Sequence, residues 1–240
     1  MAGSVAVPQV LGGEVMLVMV SNCTSWRTHY LQGKYGGLGL LLPPDGLRGP
    51  YPHLPFYAID NGAFPAWSNK MPWDADKFRR ALDWAAYRPI KPKWVVVPDV
   101  VTKAKETFES WHKWKDEVAG YGYPLAFAVQ DGMALDDLKK NDIHPDIVFV
   151  GGSTEWKMRT LKGWCREFPR VHVGRINGLR GLLECHEHGA ESCDGTGWFR
   201  GSHTQLDGLI TYLREHGEGP VQHRMFFPQP EGHPELFDSY

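Results

Sequence analysis

Residues 94–99 read Trp-Val-Val-Val-Pro-Asp, a short apolar run that stops at an acidic residue. A similar run occurs at residues 56–60, Phe-Tyr-Ala-Ile-Asp, and the short segment at residues 191–194, Glu-Ser-Cys-Asp, also ends at an aspartate. A strand buried in a parallel sheet reads as a continuous apolar run, because helices cover both faces of the sheet. In a (β/α) barrel, the carboxyl ends of all such strands surround one mouth. The repeated pattern therefore predicts a barrel that carries three carboxylates at its mouth. They belong to Asp60, Asp99 and Asp194.

Eight segments of the chain have the composition of buried strands. They are residues 15–20, 38–42, 56–59, 94–97, 125–129, 147–150, 171–173 and 191–193. Between them lie helical patterns: one follows an Asp74 cap, another ends near Gly120, and Ser202 and Gln205 open the last as a capping box. Strand and helix alternate to the end of the chain, which predicts the α/β class and a compact (β/α)8 TIM-like barrel.

The 240 residues of the chain suit a single barrel, so we expect one domain over residues 1–240. Prolines and glycines in residues 43–55 predict a loop over the barrel, and residues from about 217 to 240 predict an irregular tail. The formal net charge of −2 excludes the global positive field of a dedicated nucleic-acid binder. A polyanionic partner would therefore have to be held by a local patch.

The cysteines and the apolar segments indicate the compartment. The four cysteines are Cys23, Cys165, Cys185 and Cys193, and they form no CxxC pair. We expect them to be buried thiols of a cytoplasmic protein. Cys185 and His188 share a helix face, but no second ligand pair lies nearby, so we expect no metal and no cofactor. The longest apolar stretch, residues 15–20, is far below the roughly 18 residues of a membrane helix, so we expect no membrane partner.

The polar groups at the predicted strand ends form the candidate site. They are Ser21-Asn22, residues 60–64, Pro98-Asp99, Gln130-Asp131-Gly132, Gly151-Gly152-Ser153, Gly174-Arg175 and Asp194-Gly195-Thr196. Because the βα loops surround one concave mouth, these residues become neighbours despite their separation in sequence. Three carboxylates there suggest glycosyl-transfer or proton-transfer chemistry. Each aspartate has an alternative role as a helix cap or turn residue, and Gly151-Gly152 as a tight turn.

In their order, these motifs resemble those of the tRNA-guanine transglycosylases and of their DNA-acting relatives, which insert 7-deazaguanine bases into phage and bacterial DNA. Residues 60–64, Asp-Asn-Gly-Ala-Phe, are similar to the family's D-S-G-G-F, and residues 129–132, Val-Gln-Asp-Gly, to its V-Q-G-G. Gly151-Gly152 is similar to its G-G-L loop, and residues 191–194 lie where its nucleophilic aspartate ends a late strand. The resemblance covers residues 56 to about 200.

The resemblance implies a role for each matching residue. Asp194 would attack C1′ of a nucleotide and expel guanine, leaving a covalent glycosyl–enzyme intermediate that the incoming base displaces with overall retention. Asp60 would be the general acid/base. The residues implied to bind the guanine-like base are Asp99, Gln130, Asn61, Gly151 and Gly152.

The end of the chain departs from the tRNA enzymes, which carry a Cys-rich zinc subdomain after the last strands. Residues 195–200 instead read Gly-Thr-Gly-Trp-Phe-Arg. This difference favours the short DNA-acting enzymes, so we expect DNA and a free 7-deazaguanine (preQ0-like) base as partners. The residues expected to contact the nucleic acid are Arg175, Arg180, Arg200 and Trp198. Trp67 and Trp156 are further candidates for stacking on bases, with packing at the rim as the alternative.

Two alternatives to DNA base exchange remain open from the sequence. The first is a transglycosylase or glycosidase that acts on tRNA or on a free nucleoside or nucleotide. The second is a noncatalytic module that binds deazapurines or nucleic acid and keeps the barrel without the chemistry.

Overall fold

The computed structural model describes residues 15–21, 23 and 25–220, and it contains a closed barrel of eight parallel strands. The strands are β1 (Leu17–Ser21), β2 (Leu38–Leu42), β3 (Tyr57–Ile59), β4 (Val95–Val96), β5 (Leu125–Val129), β6 (Ile147–Val150), β7 (Val171–Val173) and β8 (Ser192–Gly195). Each strand pairs with its sequence neighbours, and β8 closes the barrel on β1. The α/β barrel expected from the sequence is therefore confirmed. Asn22 and the tail beyond residue 220 lie outside the described residues.

Helices connect the strands in the described part of the chain. They are α1 (Trp26–Tyr35), α2 (Ala63–Ser68), α3 (Ala75–Ala86), α4 (Ala104–Ala119), α5 (Leu135–Lys140), α6 (Thr154–Glu167), α7 (Leu179–Glu187), α8 (Gly197–Arg200) and α9 (His203–His216). The Asp74 side chain caps α3 by accepting the Lys77 N–H at 2.9 Å. At the start of α9, the Ser202 N–H donates to Gln205 Oε1 at 3.2 Å. Residues 43–56, between β2 and β3, contain no helix, as their prolines predicted.

Side chains alternate between the two faces of each strand, and this alternation determines where the polar site residues lie. One buried cluster fills the barrel interior with apolar side chains from most of the strands, and a larger cluster lies between the strands and the helices. On β3, Ala58 belongs to the interior cluster and Asp60 follows two residues later; on β5, Ala128 is followed in the same way by Gln130. Because successive side chains of a strand alternate between faces, these polar groups lie over the filled interior.

The last strand is longer than expected. The sequence predicted that it ends at Cys193, but β8 continues to Gly195, and Asp194 pairs with Met19 of β1. The Asp194 carbonyl also accepts the Ile176 N–H at 2.6 Å, so backbone bonds hold it on both sides. The expected boundary was therefore wrong, and Asp194 projects from within a strand. Within the described ranges, no helix has both the length and the apolar character that a membrane crossing requires.

Gly39 in β2 provides a test of barrel packing. A Cβ atom at this position would lie 2.8 Å from the carbonyl oxygen of Phe56, which already accepts the Leu40 N–H. That oxygen is fixed by sheet pairing, so we expect Gly39→Ala to lower the free energy of unfolding by about 1–3 kcal/mol. Urea denaturation measures the change.

Gly33→Ala is the matched control, because a Cβ at Gly33 in α1 meets nothing within 4 Å. This substitution should raise the free energy of unfolding by about 0.5–1 kcal/mol, since alanine loses less conformational freedom in a helix. Effects of the same sign at the two glycines would contradict the packing described for β2.

Candidate active site

The carboxyl ends of the strands surround a cavity of about 690 Å³. Asp60, Asp99 and Asp194 all line it, so the structure brings together the three carboxylates that the sequence predicted at the mouth. Residues expected to bind the base or the nucleic acid also line the cavity: Asn61, Gln130, Gly151, Gly152, Arg175 and Arg200. A volume of this size lies within the range of small-molecule sites in proteins.

Asp194 is buried, and three hydrogen-bond donors hold its carboxylate. Oδ2 accepts from the Ser21 hydroxyl at 2.9 Å, and Oδ1 accepts from the Arg175 backbone N–H at 3.1 Å. The third donor is His172, whose Nε2 lies 3.1 Å from Oδ1. Donors from two strands and one turn fix the orientation of the carboxylate. Oδ2 has one donor among the described residues, so it keeps capacity for another contact.

His172 lies in the barrel interior and was missed by the sequence reasoning. Its Nδ1 lies 2.8 Å from Ser192 Oγ, and its ring centroid is 4.7 Å from that of Trp94 and 4.8 Å from that of Phe149. An ionised carboxylate only accepts hydrogen bonds, so Nε2 carries the proton shared with Asp194. The available signal was a polar residue in the centre of Val-His-Val, an otherwise apolar strand.

Asp60 carries a carboxyl group whose pKa is raised to about 7. Burial is the main cause, and the negative charges of Asp194 and Asp99 raise the pKa further. The Gly62 N–H, which donates to Asp60 Oδ1 at 3.3 Å, opposes the shift. A group with this pKa can both release and accept a proton at neutral pH, as general acid/base catalysis requires.

Asn61 holds Asp99 in place. Its Nδ2 donates to Asp99 Oδ1 at 2.8 Å and to the Val97 carbonyl at 3.1 Å, while its Oδ1 accepts the Ala63 N–H at 2.7 Å. Both amide hydrogens are used within the protein, so Asn61 positions Asp99, and its expected contact with a base stays a prediction. Burial raises the pKa of Asp99, and the hydrogen bond from Asn61 opposes this shift.

Gln130 also has its amide group fully engaged. Its Nε2 donates to Thr107 Oγ1 at 2.8 Å and to the Val100 carbonyl at 3.1 Å, and its Oε1 accepts the Thr102 N–H. These bonds hold the loop between β4 and α4. The expected donation from Gln130 to an exocyclic oxygen of a base is therefore corrected, because no amide hydrogen is left for it.

The two glycines after β6 differ in whether their backbone N–H group is available to a ligand. The Gly151 N–H donates to the Val129 carbonyl at 2.8 Å as part of the sheet, so it is not a donor for a ligand. Gly152 has a φ of +76°, and a Cβ there would overlap the Asp131 carboxylate, so glycine is required. Among the described residues, none accepts the Gly152 N–H, which leaves it available at the cavity.

Of the predicted cations, Arg175 and Arg200 line the cavity and Arg180 does not. The Arg175 guanidinium donates to the Gly152 carbonyl at 2.9 Å and lies 4.2 Å from the centroid of the Phe64 ring. Arg180 is exposed on α7 and pairs with Glu184 of the same helix. The phosphate contact expected from Arg180 stays a prediction, and it would lie outside the cavity.

The tryptophans near the mouth separate into core and rim. Trp198 is 1% exposed and Trp156 is 6% exposed, so neither presents a face to a base, and both stacking expectations are corrected. The short helix α8 turns the Trp198 indole inward. Trp67 in contrast is 51% exposed, lines the cavity and lies beside Phe64 with the ring centroids 5.7 Å apart. Trp67 is therefore an accessible indole at the rim of the cavity.

Comparison with known proteins leaves the function to be inferred from this geometry. A scan against protein-family models finds no match to the chain, and a search of curated proteins finds none either. In the part of the chain that the structure describes, no group of three or more His, Cys, Asp or Glu side chains is arranged to hold a metal ion.

The raised pKa of Asp60 predicts a pH-dependent stability. In the unfolded chain an aspartate titrates near a pKa of about 3.9, whereas in the folded protein the pKa of Asp60 is about 7. The folded state therefore binds more protons between these values, and this contribution to stability is lost as the pH rises from about 4 to about 7. We expect Asp60→Asn to raise the Tm at pH 8 relative to the wild type, with the gain disappearing near pH 4.

Thermal unfolding followed by circular dichroism at a series of pH values measures this difference. Asp116→Asn, on an exposed position of α4, is the control and should follow the wild-type curve. An Asp60→Asn curve that stays parallel to the wild type from pH 4 to pH 8 would show that Asp60 is not buried in its ionised form.

Proposed function

We propose that the protein is a base-exchange pentosyltransferase that replaces guanine in DNA by a 7-deazaguanine base. The observation that carries this proposal is the pairing of two unlike carboxyl groups in one cavity. Asp194 is fixed by three donors, whereas Asp60 has a pKa of about 7. Carboxyl groups in such different environments can divide the work of nucleophile and acid/base between them.

In the first step, an oxygen of Asp194 attacks C1′ of the target nucleotide, and the bond from C1′ to the guanine nitrogen N9 breaks. The electron pair of that bond stays with the base, which takes a proton from Asp60 and leaves as neutral guanine. Asp60 is now ionised, and the sugar is esterified to Asp194. The negative charges of the cavity stabilise the oxocarbenium-like transition state.

In the second step, the 7-deazaguanine gives its N9 proton to Asp60, and N9 attacks C1′. The ester bond breaks, and its electron pair returns to Asp194. Ser21, His172 and the Arg175 N–H donate to the carboxylate that reforms, which makes it a better leaving group. Two displacements at one carbon retain its configuration, and both carboxyl groups return to their starting states.

Selection of a guanine-like base is assigned to Asp99 and Gly152. Asn61 donates to one oxygen of Asp99, and a carboxylate keeps capacity for further donors such as the paired N–H groups of guanine. The free Gly152 N–H supplies a donor for the exocyclic oxygen. Adenine presents an acceptor where guanine presents a donor, so this set of groups discriminates against it.

The proposal predicts exchange into DNA. Labelled preQ0 or guanine is incubated with the protein and with single-stranded DNA, duplex DNA, tRNA or nucleosides, and incorporation is counted. We expect incorporation into DNA and a loss of about 10³-fold or more in Asp194→Asn, since the nucleophile is removed. Asp116→Asn should retain wild-type activity. Mass spectrometry of the denatured wild type, incubated with DNA alone, should detect a sugar adduct on Asp194.

Other outcomes decide between the alternatives. Incorporation into tRNA or a nucleoside, but not into DNA, would keep the chemistry and replace the proposed substrate. Tight binding of preQ0 without incorporation into any substrate, unchanged in Asp194→Asn, would contradict catalysis and favour a noncatalytic binding module.

A DNA substrate predicts a role for Trp67 at the rim. Stacking of one base on an aromatic ring contributes about 1–3 kcal/mol, so Trp67→Ala should weaken binding of a single-stranded oligonucleotide by about 5- to 150-fold. The affinity of the Trp67→Ala variant for free preQ0 should change less than about twofold, because the indole is half exposed at the rim. Fluorescence anisotropy of labelled oligonucleotides measures the first quantity and calorimetry the second.

Tyr87→Ala is the matched control. Tyr87 is 90% exposed and follows α3, so it lies at the opposite end of the barrel from the mouth. Its removal should leave oligonucleotide binding unchanged. Equal losses in the two variants, or no loss in Trp67→Ala, would remove the nucleic-acid contact from this rim.

A further inference from the structure

Lys157 is a buried cation beneath the mouth of the barrel. It lies in the first turns of α6 and is 1% exposed. Among the described residues, it is the only buried Lys or Arg. Burying an ammonium group is costly unless hydrogen bonds and charges compensate, so its contacts indicate what it does.

The hydrogen bond of Lys157 is made to the turn that follows β7. Its Nζ donates to the carbonyl oxygen of Gly174. Burial, together with the positive charge of Arg175, lowers the pKa of Lys157 to about 8, while the negative charge of Asp194 opposes the shift. Lys157 therefore remains mainly protonated at pH 7, and its charge acts on two residues of the candidate active site.

The turn held by Lys157 has an unfavourable backbone conformation. Arg175 has a φ of +57°, a left-handed value that costs a residue other than glycine about 1–2 kcal/mol. Such a conformation persists when the surroundings hold it. Lys157 holds the Gly174 carbonyl, which precedes Arg175. The Arg175 guanidinium donates to the Gly152 carbonyl at 2.9 Å. Held in this way, the Arg175 N–H donates to Asp194 Oδ1.

We propose that Lys157 is a positioning residue for Asp194, which acts by holding the Gly174–Arg175 turn so that the Arg175 N–H reaches the carboxylate. This role rests on the proposed function of Asp194 as the nucleophile. In this role, Lys157 contacts neither the base nor the sugar of the substrate. Without the ammonium group, the Gly174 carbonyl loses its buried donor, and the turn relaxes from the left-handed conformation.

The test compares Lys157→Met with Lys162→Met, which makes the same change at an exposed position of the same helix. Lys157→Met should lower kcat for base exchange by about 10- to 100-fold, since small displacements of a catalytic group are enough for such losses. The Kd for preQ0 should change less than kcat, because Asp99, one of the two groups assigned to the base, lies on a different loop. In NMR spectra, the Arg175 amide proton should move upfield as its bond to Asp194 weakens. Lys162→Met should change none of these quantities.

Other results would overturn the proposal or the function on which it rests. An Arg175 amide resonance at its wild-type position in Lys157→Met overturns the proposal, and so does an unchanged kcat. If the wild type shows no base exchange, the proposed function fails, and the Arg175 resonance still decides whether Lys157 holds the turn. If Lys157→Met does not fold, Lys157→Arg takes its place. Loss of activity in that variant without a shift of the Arg175 resonance overturns the proposal as well.

Discussion

Closure of the barrel between β8 and β1 is the constraint on which the site depends. The register that pairs Asp194 with Met19 carries a carboxylate into the interior, two residues below the end where Ser21 leaves β1. A buried carboxylate has to be compensated by donors. Ser21 supplies one from β1, His172 another from β7, and the turn after β7 a third. The same strand pairing that closes the sheet thereby builds the group to which we assign the chemistry.

The two carboxyl groups differ because their surroundings differ. Asp194 has donors at both oxygens, whereas Asp60 has the Gly62 N–H and faces the negative charges of its neighbours. Hydrogen bonds favour an ionised carboxylate, and desolvation with like charges disfavours it. In the proposed function, this contrast assigns the nucleophile to Asp194 and the exchange of protons to Asp60. This difference arises from strand position, since Asp60 follows β3 and Asp194 lies within β8.

The strands could be predicted from the sequence because burial on both faces leaves continuous apolar runs, and the aspartates stood where those runs stop. What each polar side chain bonds to could not be predicted in the same way. Gln130 and Asn61 follow strands as expected, but hydrogen bonds to neighbouring loops use their amides. His172 and Lys157 are buried among apolar side chains, and only the folded structure shows which groups they face. Trp67 and Trp198 both come shortly after a predicted strand, and only their orientation in the short helices α2 and α8 makes one exposed and the other buried.

Arg175 connects the two sides of the mouth. Its backbone N–H bonds to Asp194, and its guanidinium covers the ring of Phe64, which comes four residues after Asp60 in the chain. One residue thus couples the strand that bears the fixed carboxylate to the helix that follows the titrating one. An occupant that stacked on this face of Phe64 would have to displace a flat cation from the ring. Filling of the cavity would then also release the contact between Arg175 and Phe64. The surroundings of both carboxyl groups would change together.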